Sequence, residues 1–249
     1  MIINLQFFGG RGASSSGGSG GGSVNLSATQ STFIPGGTFG VMSNQDADDL
    51  RSLEDSQYDA NTTAAIKMYI SNTDYDHKGH SISQTLNYKL ENGKDISSDS
   101  TLAYTDAFMH NAMHDIGKNT KLQRGAHDDI VKQLGVSDYT KMSEQQLQQQ
   151  LIGQSSSFKG YVSTSYDVNK NPFLSAQSGS GVSGGREVEL NINAQSGTKC
   201  VFGAKKQSEI VLDKGTMVGE GTHDELMENC EIYKEIALSQ LTKEELKNA

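Results

Sequence analysis

Tryptophan is absent from this 249-residue chain, and proline and cysteine occur only twice each. The two cysteines, Cys200 and Cys230, lack a C-x-x-C spacing, which argues against a disulfide framework. No apolar run approaches the roughly 20 residues that a membrane-spanning helix needs. The opening stretch, residues 1–8, is apolar but has no cationic start, so it reads poorly as a secretory signal. Positive charge is also in deficit: 21 Lys and Arg stand against 30 Asp and Glu, a net −9. Such a surface offers no general field for nucleic acid or anionic lipid, and only a local site could serve either. These absences predict a soluble chain with no membrane partner, long enough for one domain with appendages.

Glycine is plentiful, at 27 residues. Residues 9–23 (GGRGASSSGGSGGGS) cannot bury enough surface to offset their ordering entropy, so residues 1–45 read as a disordered leader. From residue 46 the pattern turns helical. Asp46, Asp48 and Asp49 suit the positive end of a helix dipole. Ala64, Ala65, Met68 and Tyr69 recur at helical spacing, as do Ile82, Leu86 and Leu90. A fourth helix is expected over 101–116, with Gly117 as its C-cap. Further helices are expected near 127–134 and 143–152.

The second half changes character. Strands are expected at 121–124, 158–164, 187–192, 199–202 and 209–212, with a flexible loop at 175–185. Val188, Leu190 and Ile192 alternate with Glu189 and Asn191, as on a half-buried strand. Helices first and antiparallel strands later predict an α+β fold.

Three strand-borne stretches occur in a set order: Leu122-Gln123-Arg124-Gly125, then Gly160-Tyr161-Val162-Ser163-Thr164-Ser165, then Gln207-Ser208-Glu209. Arginine, Ser-Thr-Ser and Gln-x-Glu in that order resemble the R-S-E signature of ADP-ribosyltransferases, over roughly residues 60–216. The resemblance implies a split antiparallel β-sandwich core and NAD as substrate, with no metal. Cleaving the nicotinamide–ribose bond places positive charge on the ribose, as in glycoside cleavage. Such a reaction needs a carboxylate at the ribose, a clamp on the pyrophosphate and a group that orients the acceptor.

The resemblance casts Arg124, beside Gly125, as the clamp; a guanidinium fork matches phosphate oxygens. It casts Ser163 as the holder of Glu209, Glu209 as the carboxylate at the ribose, and Thr164 and Ser165 as pocket wall. Gln207 stands where arginine-modifying relatives carry Glu, and its uncharged carboxamide implies a protein side chain other than arginine. Guanine in nucleic acid is the alternative acceptor. The loop 203–206 lacks the aromatic residue that many relatives turn toward a protein target.

Three stretches point elsewhere. His110 and His114, in "HNAMHDIGK", resemble the core motif of HD-type metal phosphohydrolases. The strand-rich second half argues against that fold, and the plain expectation is a polar helix end with its histidines outside. The opening "INLQFFGGRG" with its Gly/Ser tail is similar to the start of phage head-associated proteins, which implies a host-cytoplasm or virion setting and the alternative of a non-catalytic particle component. The tail, 217–249, resembles the end of an ABC exporter nucleotide-binding domain. It lacks the phosphate-binding GxxxxGK[ST] loop, so ATP hydrolysis does not follow. Thr222 and Glu225 make a capping box that opens an expected C-terminal helix.

Overall fold

The computed structural model describes residues 2–9, 38–127, 129–167, 187–219, 221–231 and 233–234. Four helices lie before residue 113: α1 (Asn44–Gln57), α2 (Ala60–Tyr69), α3 (Ile82–Glu91) and α4 (Ser100–Ala112). At 10 to 14 residues each, they are marginal as isolated helices, so caps and packing must hold them. Ser43, Asp59, Ser81 and Asp99 supply the N-caps, each accepting a backbone N–H three residues on. Each cap contributes about 1 kcal/mol. Shorter helices follow: α5 (Asp129–Gln133), α6 (Glu144–Leu151) and α7 (His223–Asn229). The capping box expected at Thr222 and Glu225 opens α7.

The strands are β1 (Ile2–Gly9), β2 (Gly40–Val41), β3 (His114–Asp115), β4 (Thr120–His127) and β5 (Ser155–Phe158). They continue as β6 (Val162–Ser165), β7 (Glu187–Ala194), β8 (Lys199–Phe202), β9 (Glu209–Leu212) and β10 (Gly215–Gly219). Their spatial order is β3-β8-β9-β6-β4-β7-β1-β10-β5, with β2 alongside β4. Pairing is antiparallel except at β1·β7 and β2·β4. The sheet is split in the middle. A single pair, Gln123↔Ser165, joins β4 to β6, whereas β4 and β7 run together from Thr120↔Ala194 to His127↔Glu187. Two half-sheets therefore part at the β4–β6 seam.

The strand period of two assigns each face its work. Val162, Cys200, Phe202, Ile210 and Leu212 join a core with residues of α1, α5 and α6. On the other face Tyr161, Val201 and Val211 meet Ile66 and Tyr69 of α2, Leu86 of α3, and Leu102 and Met109 of α4. Ser163 pairs with Val211, and Ser165 with Glu209. Ser163, Ser165 and Glu209 thus continue the stripe that the helices cover, toward the seam.

The structure corrects four expectations. The strand expected over 158–164 is two strands, β5 and β6, which lie in different half-sheets. The crossover between them is held by side chains of α3 in place of a sheet ladder. Glu91 accepts the N–H groups of Lys159 and Gly160, and Asn87 bonds both the N–H and the carbonyl of Tyr161. The helix expected to reach residue 116 stops at Ala112; Gly117 instead turns the chain after β3, at φ 85°.

The start of the expected leader is sheet: β1 runs between β7 and β10, and Met42 is buried in the core. Eight consecutive residues with few polar side chains gain more from pairing with two strands than from staying solvated. Of the Gly/Ser tract, residues 10–23 lie outside the described residues, as does the loop 175–185. The boundary drawn at residue 217 falls inside β10, which pairs with β1 and β5. Leu226, Cys230 and Tyr233 of the tail are buried. Both cysteines are free.

Gly219 ties this tail to α6. A Cβ there would lie 1.6 Å from the Leu151 carbonyl oxygen, which is backbone and cannot swing away. Gly219→Ala is expected to cost about 3 kcal/mol or more, at the upper end for overpacking, read as a lower denaturant midpoint. An unchanged midpoint would show that β10 is dispensable.

Candidate active site

The seam between the half-sheets brings Arg124, Ser163 and Glu209 together from β4, β6 and β9. Arg124 Nη1 crosses the split and donates to the Ser163 carbonyl oxygen at 2.8 Å. Burial lowers the pKa of the guanidinium, while Tyr69, Glu209 and Glu91 around it act in the opposite sense. It stays charged, since arginine does not lose its proton in proteins. One of its five N–H donors is committed to Ser163, so the fork keeps donors for a pyrophosphate.

Glu209 is only 5% exposed. Its Oε2 accepts the Ala204 N–H at 3.0 Å, from the other stem of the same loop. Burial pushes its pKa up, against the pull of the Ala204 N–H, the Ser163 side chain, Arg51 and Arg124. Gly203 is what lets the carboxylate lie there, because a Cβ would sit 2.3 Å from Oε2. Tyr69 of α2 completes the wall. Its hydroxyl accepts from Asn87 Nδ2 at 2.9 Å, and burial raises its pKa to about 12 against hydrogen bonds from Asn87 and Ser163.

The remaining expected residues divide. Gln207 ends a 3-10 turn (Lys205–Gln207) that precedes β9, and it is partly exposed. Ser165 is fully buried; its hydroxyl bonds the Gln207 carbonyl oxygen at 3.3 Å and the Asp167 N–H at 3.2 Å, so it shapes the loop. Gly125 is buried on β4, in register with Glu189. Thr164 does not reach the pocket wall. The strand alternation turns it to the opposite face, where its hydroxyl donates to the Ile210 carbonyl oxygen at 2.8 Å.

The two histidines of the decoy motif do not meet at a common site. His110, 61% exposed in its side chain, faces Asp213 at 3.4 Å. His114, expected outside, is buried on β3 with Nε2 2.6 Å from Glu54 Oε1. The early end of α4 explains the difference, because strand geometry turns His114 inward. Burial works against its charge, yet Glu54 and the Asp115 carbonyl push its pKa up. Among the described residues, no group of His, Cys, Asp and Glu is arranged to hold a metal ion.

Sequence reading missed Tyr69, Asn87, Glu91, Arg51 and Glu54 as parts of the site. Tyr69 read as an ordinary member of an apolar helix stripe, and the other four were not singled out. A buried carboxylate beside a guanidinium at a sheet split has the charges that suit a cationic sugar next to a diphosphate.

Comparison with known families decides the matter: residues 48–237 match the model of the ADP-ribosyltransferase exoenzyme family. The chain belongs to the ADP-ribosyltransferase exoenzyme family. It is an NAD-dependent ADP-ribosyltransferase, and the matched span runs through both β10 and α7. Among solved structures it is similar to C3stau2 from S. aureus with NAD, with TM-score 0.50 and 15% identity over 74% of this chain and 92% of that one. The Clostridium limosum C3 exoenzyme gives TM-score 0.49 and 17% identity over 73% of this chain and 87% of that one. An ADP-ribosyltransferase from Clostridium botulinum gives 0.43 and 19%, over 71% and 86%. At these identities the likeness is one of fold. No curated protein sequence matches. No helix among the described residues is long and apolar enough to cross a membrane.

Proposed function

We propose that this ADP-ribosyltransferase moves ADP-ribose from NAD to a side chain of a protein other than arginine, with a carboxamide as the favoured acceptor. The observation that carries the reading is the charge around Gln207. Its neutral carboxamide belongs to a partly exposed 3-10 turn, two residues before Glu209. Lys205 and Lys206 beside it are exposed, and Lys205 is held 2.7 Å from Asp48. A guanidinium entering there would meet cations and no loop carboxylate, whereas a carboxamide meets a donor–acceptor partner of its own kind.

In this reading Arg124, beside Gly125, grips the pyrophosphate and Ser163 orients Glu209. As the nicotinamide–ribose bond breaks, its electron pair leaves with nicotinamide, and the cationic leaving group departs neutral. Glu209 stabilises the positive charge that grows on the ribose. The acceptor nitrogen then bonds to the anomeric carbon and gives up one proton. Ser165 and Thr164 hold the loop and strand from which Gln207 and Glu209 project. The described part of the ABC-exporter-like tail completes β10 between β1 and β5, and its Leu226, Cys230 and Tyr233 are buried.

The test is transfer of labelled NAD into a bacterial lysate by the native chain and by Glu209→Ala, followed by protease or nuclease digestion. Label that depends on Glu209 and is lost to protease supports the reading. Label lost to nuclease would shift the acceptor to guanine. Efficient labelling of free arginine analogues by the native chain would contradict the carboxamide assignment.

A further inference from the structure

One ridge of α1 addresses the loop that carries Gln207 and Glu209. Asp48, Arg51 and Glu54 recur every three residues, and each bonds that loop or the strand leading into it. Asp48 pairs with Lys205 at 2.7 Å. Arg51 Nη1 donates to the Gly203 carbonyl oxygen at 2.7 Å, and Nη2 to the Glu209 carbonyl oxygen at 3.4 Å. Its guanidinium lies 4.8 Å over the Phe202 ring. Glu54 accepts the Phe202 N–H at 2.9 Å and is itself held by His114.

Arg51 therefore spans the loop's two stems, one carbonyl before the turn and one after it. The loop needs such a hold. Ser208 sits at φ 50°, a left-handed conformation that costs a non-glycine residue on the order of 1 kcal/mol or more. Strained conformations persist where surrounding contacts over-determine them. The guanidinium fork suits this task, because two divergent N–H groups can serve two carbonyls while the plane stacks on an aromatic ring.

We propose that Arg51 is a positioning residue for the reaction: its two-carbonyl grip fixes the 203–209 loop so that Glu209 and Gln207 face the seam, with Asp48 and Glu54 completing the brace. The proposal rests on Glu209 being the carboxylate that meets the ribose. Arg51 also sets a positive charge beside Glu209 and helps to keep it ionised. The other groups facing Glu209 are Arg124 from β4, Tyr69 from α2, Ser163 from β6 and the Ala204 N–H from its own loop.

The test uses the full chain with Arg51→Met and Arg51→Lys, measuring nicotinamide release from NAD against substrate concentration and pH, together with the melting temperature. Arg51→Met is expected to lower kcat about tenfold or more with little change in the KM for NAD, because misplacement of a reacting group is costly and Arg51 does not grip the dinucleotide. The acid limb of its pH profile moves to higher pH, since Glu209 has lost a neighbouring cation. Arg51→Lys keeps the charge, so the limb returns toward native, while kcat stays depressed because one ammonium cannot serve both carbonyls.

A lower melting temperature with native kcat and an unmoved acid limb would overturn the proposal, as would a change confined to KM. Should Arg51→Met fail to fold, native kcat in Arg51→Lys would overturn it and a kcat loss at constant KM would support it. Carboxyl NMR titration of Glu209 in native and variant chains reads the charge without turnover. A native chain that releases no nicotinamide, yet whose Glu209 titration rises in Arg51→Met, would refute the catalytic reading and leave the brace standing. An unshifted titration would refute the brace.

Discussion

Glu209→Gln is expected to reduce nicotinamide release by about 10²- to 10³-fold in kcat, the scale for removing one preorganised electrostatic partner of a charged transition state. The KM for NAD should change little, because the grip on the dinucleotide is proposed to come from Arg124. Stability should move the other way. Burial raises the Glu209 pKa in the folded chain above its unfolded value. Such a group contributes stability that is full below the unfolded pKa and is lost as pH rises through the folded pKa. At neutral pH the native chain carries that loss, and a neutral isostere does not. The glutamine variant should therefore melt at or above the native temperature near pH 7, with the difference vanishing in acid. Lower stability at neutral pH would mean that the carboxylate is a structural ion partner rather than a strained functional group.

Gly203→Ala is expected to produce the second-largest loss of activity by a different route. The new Cβ would stand 2.3 Å from Glu209 Oε2, 2.5 Å from Cδ and 2.7 Å from Cγ. These atoms belong to the end of a side chain that can rotate, so the chain should fold at a cost of about 1 kcal/mol. The carboxylate, however, must leave its place, and a misplacement of about 1 Å costs on the order of 10²-fold in rate. The expected signature is a folded protein with a low kcat and a near-native KM for NAD. Gly219→Ala supplies the contrast, since the obstacle there is backbone and stability takes the loss. Full activity in Gly203→Ala would show that Glu209 works from another rotamer.

The parts of the site on strands were legible in the sequence because strand signatures are local. Arg124, Ser163 and Glu209 each sit within or at the end of a short strand-like run, and the structure brings the three together at one seam. The parts on helices were hidden because their partners are remote in the chain. Arg51 and Gly203 are separated by 152 positions, and Glu54 and His114 by 60. Within an acid-rich helix such residues are indistinguishable from solvated ones until the fold brings their partners up.

The split itself was implied by family resemblance, yet its location was missed. Residues 158–164 have the composition of one strand, and only the side chains of Asn87 and Glu91 make the crossover at Lys159, Gly160 and Tyr161 tolerable by satisfying its backbone groups. At the opposite end, the apolar run at Ile2–Gly9 read as part of a disordered leader. It pairs with two strands because β7 and β10 would otherwise both leave an edge unpaired.

The central claim is that the seam between the half-sheets holds NAD, with its pyrophosphate on Arg124 and its nicotinamide ribose at Glu209. The most direct measurement is a crystal structure of the Glu209→Gln chain with NAD, in which turnover is suppressed. The expected result is pyrophosphate oxygens within hydrogen-bond distance of the Arg124 guanidinium and the ribose 2′-hydroxyl against the side chain at position 209. NAD bound away from the β4–β6 seam, or a seam empty at saturating NAD, would contradict it.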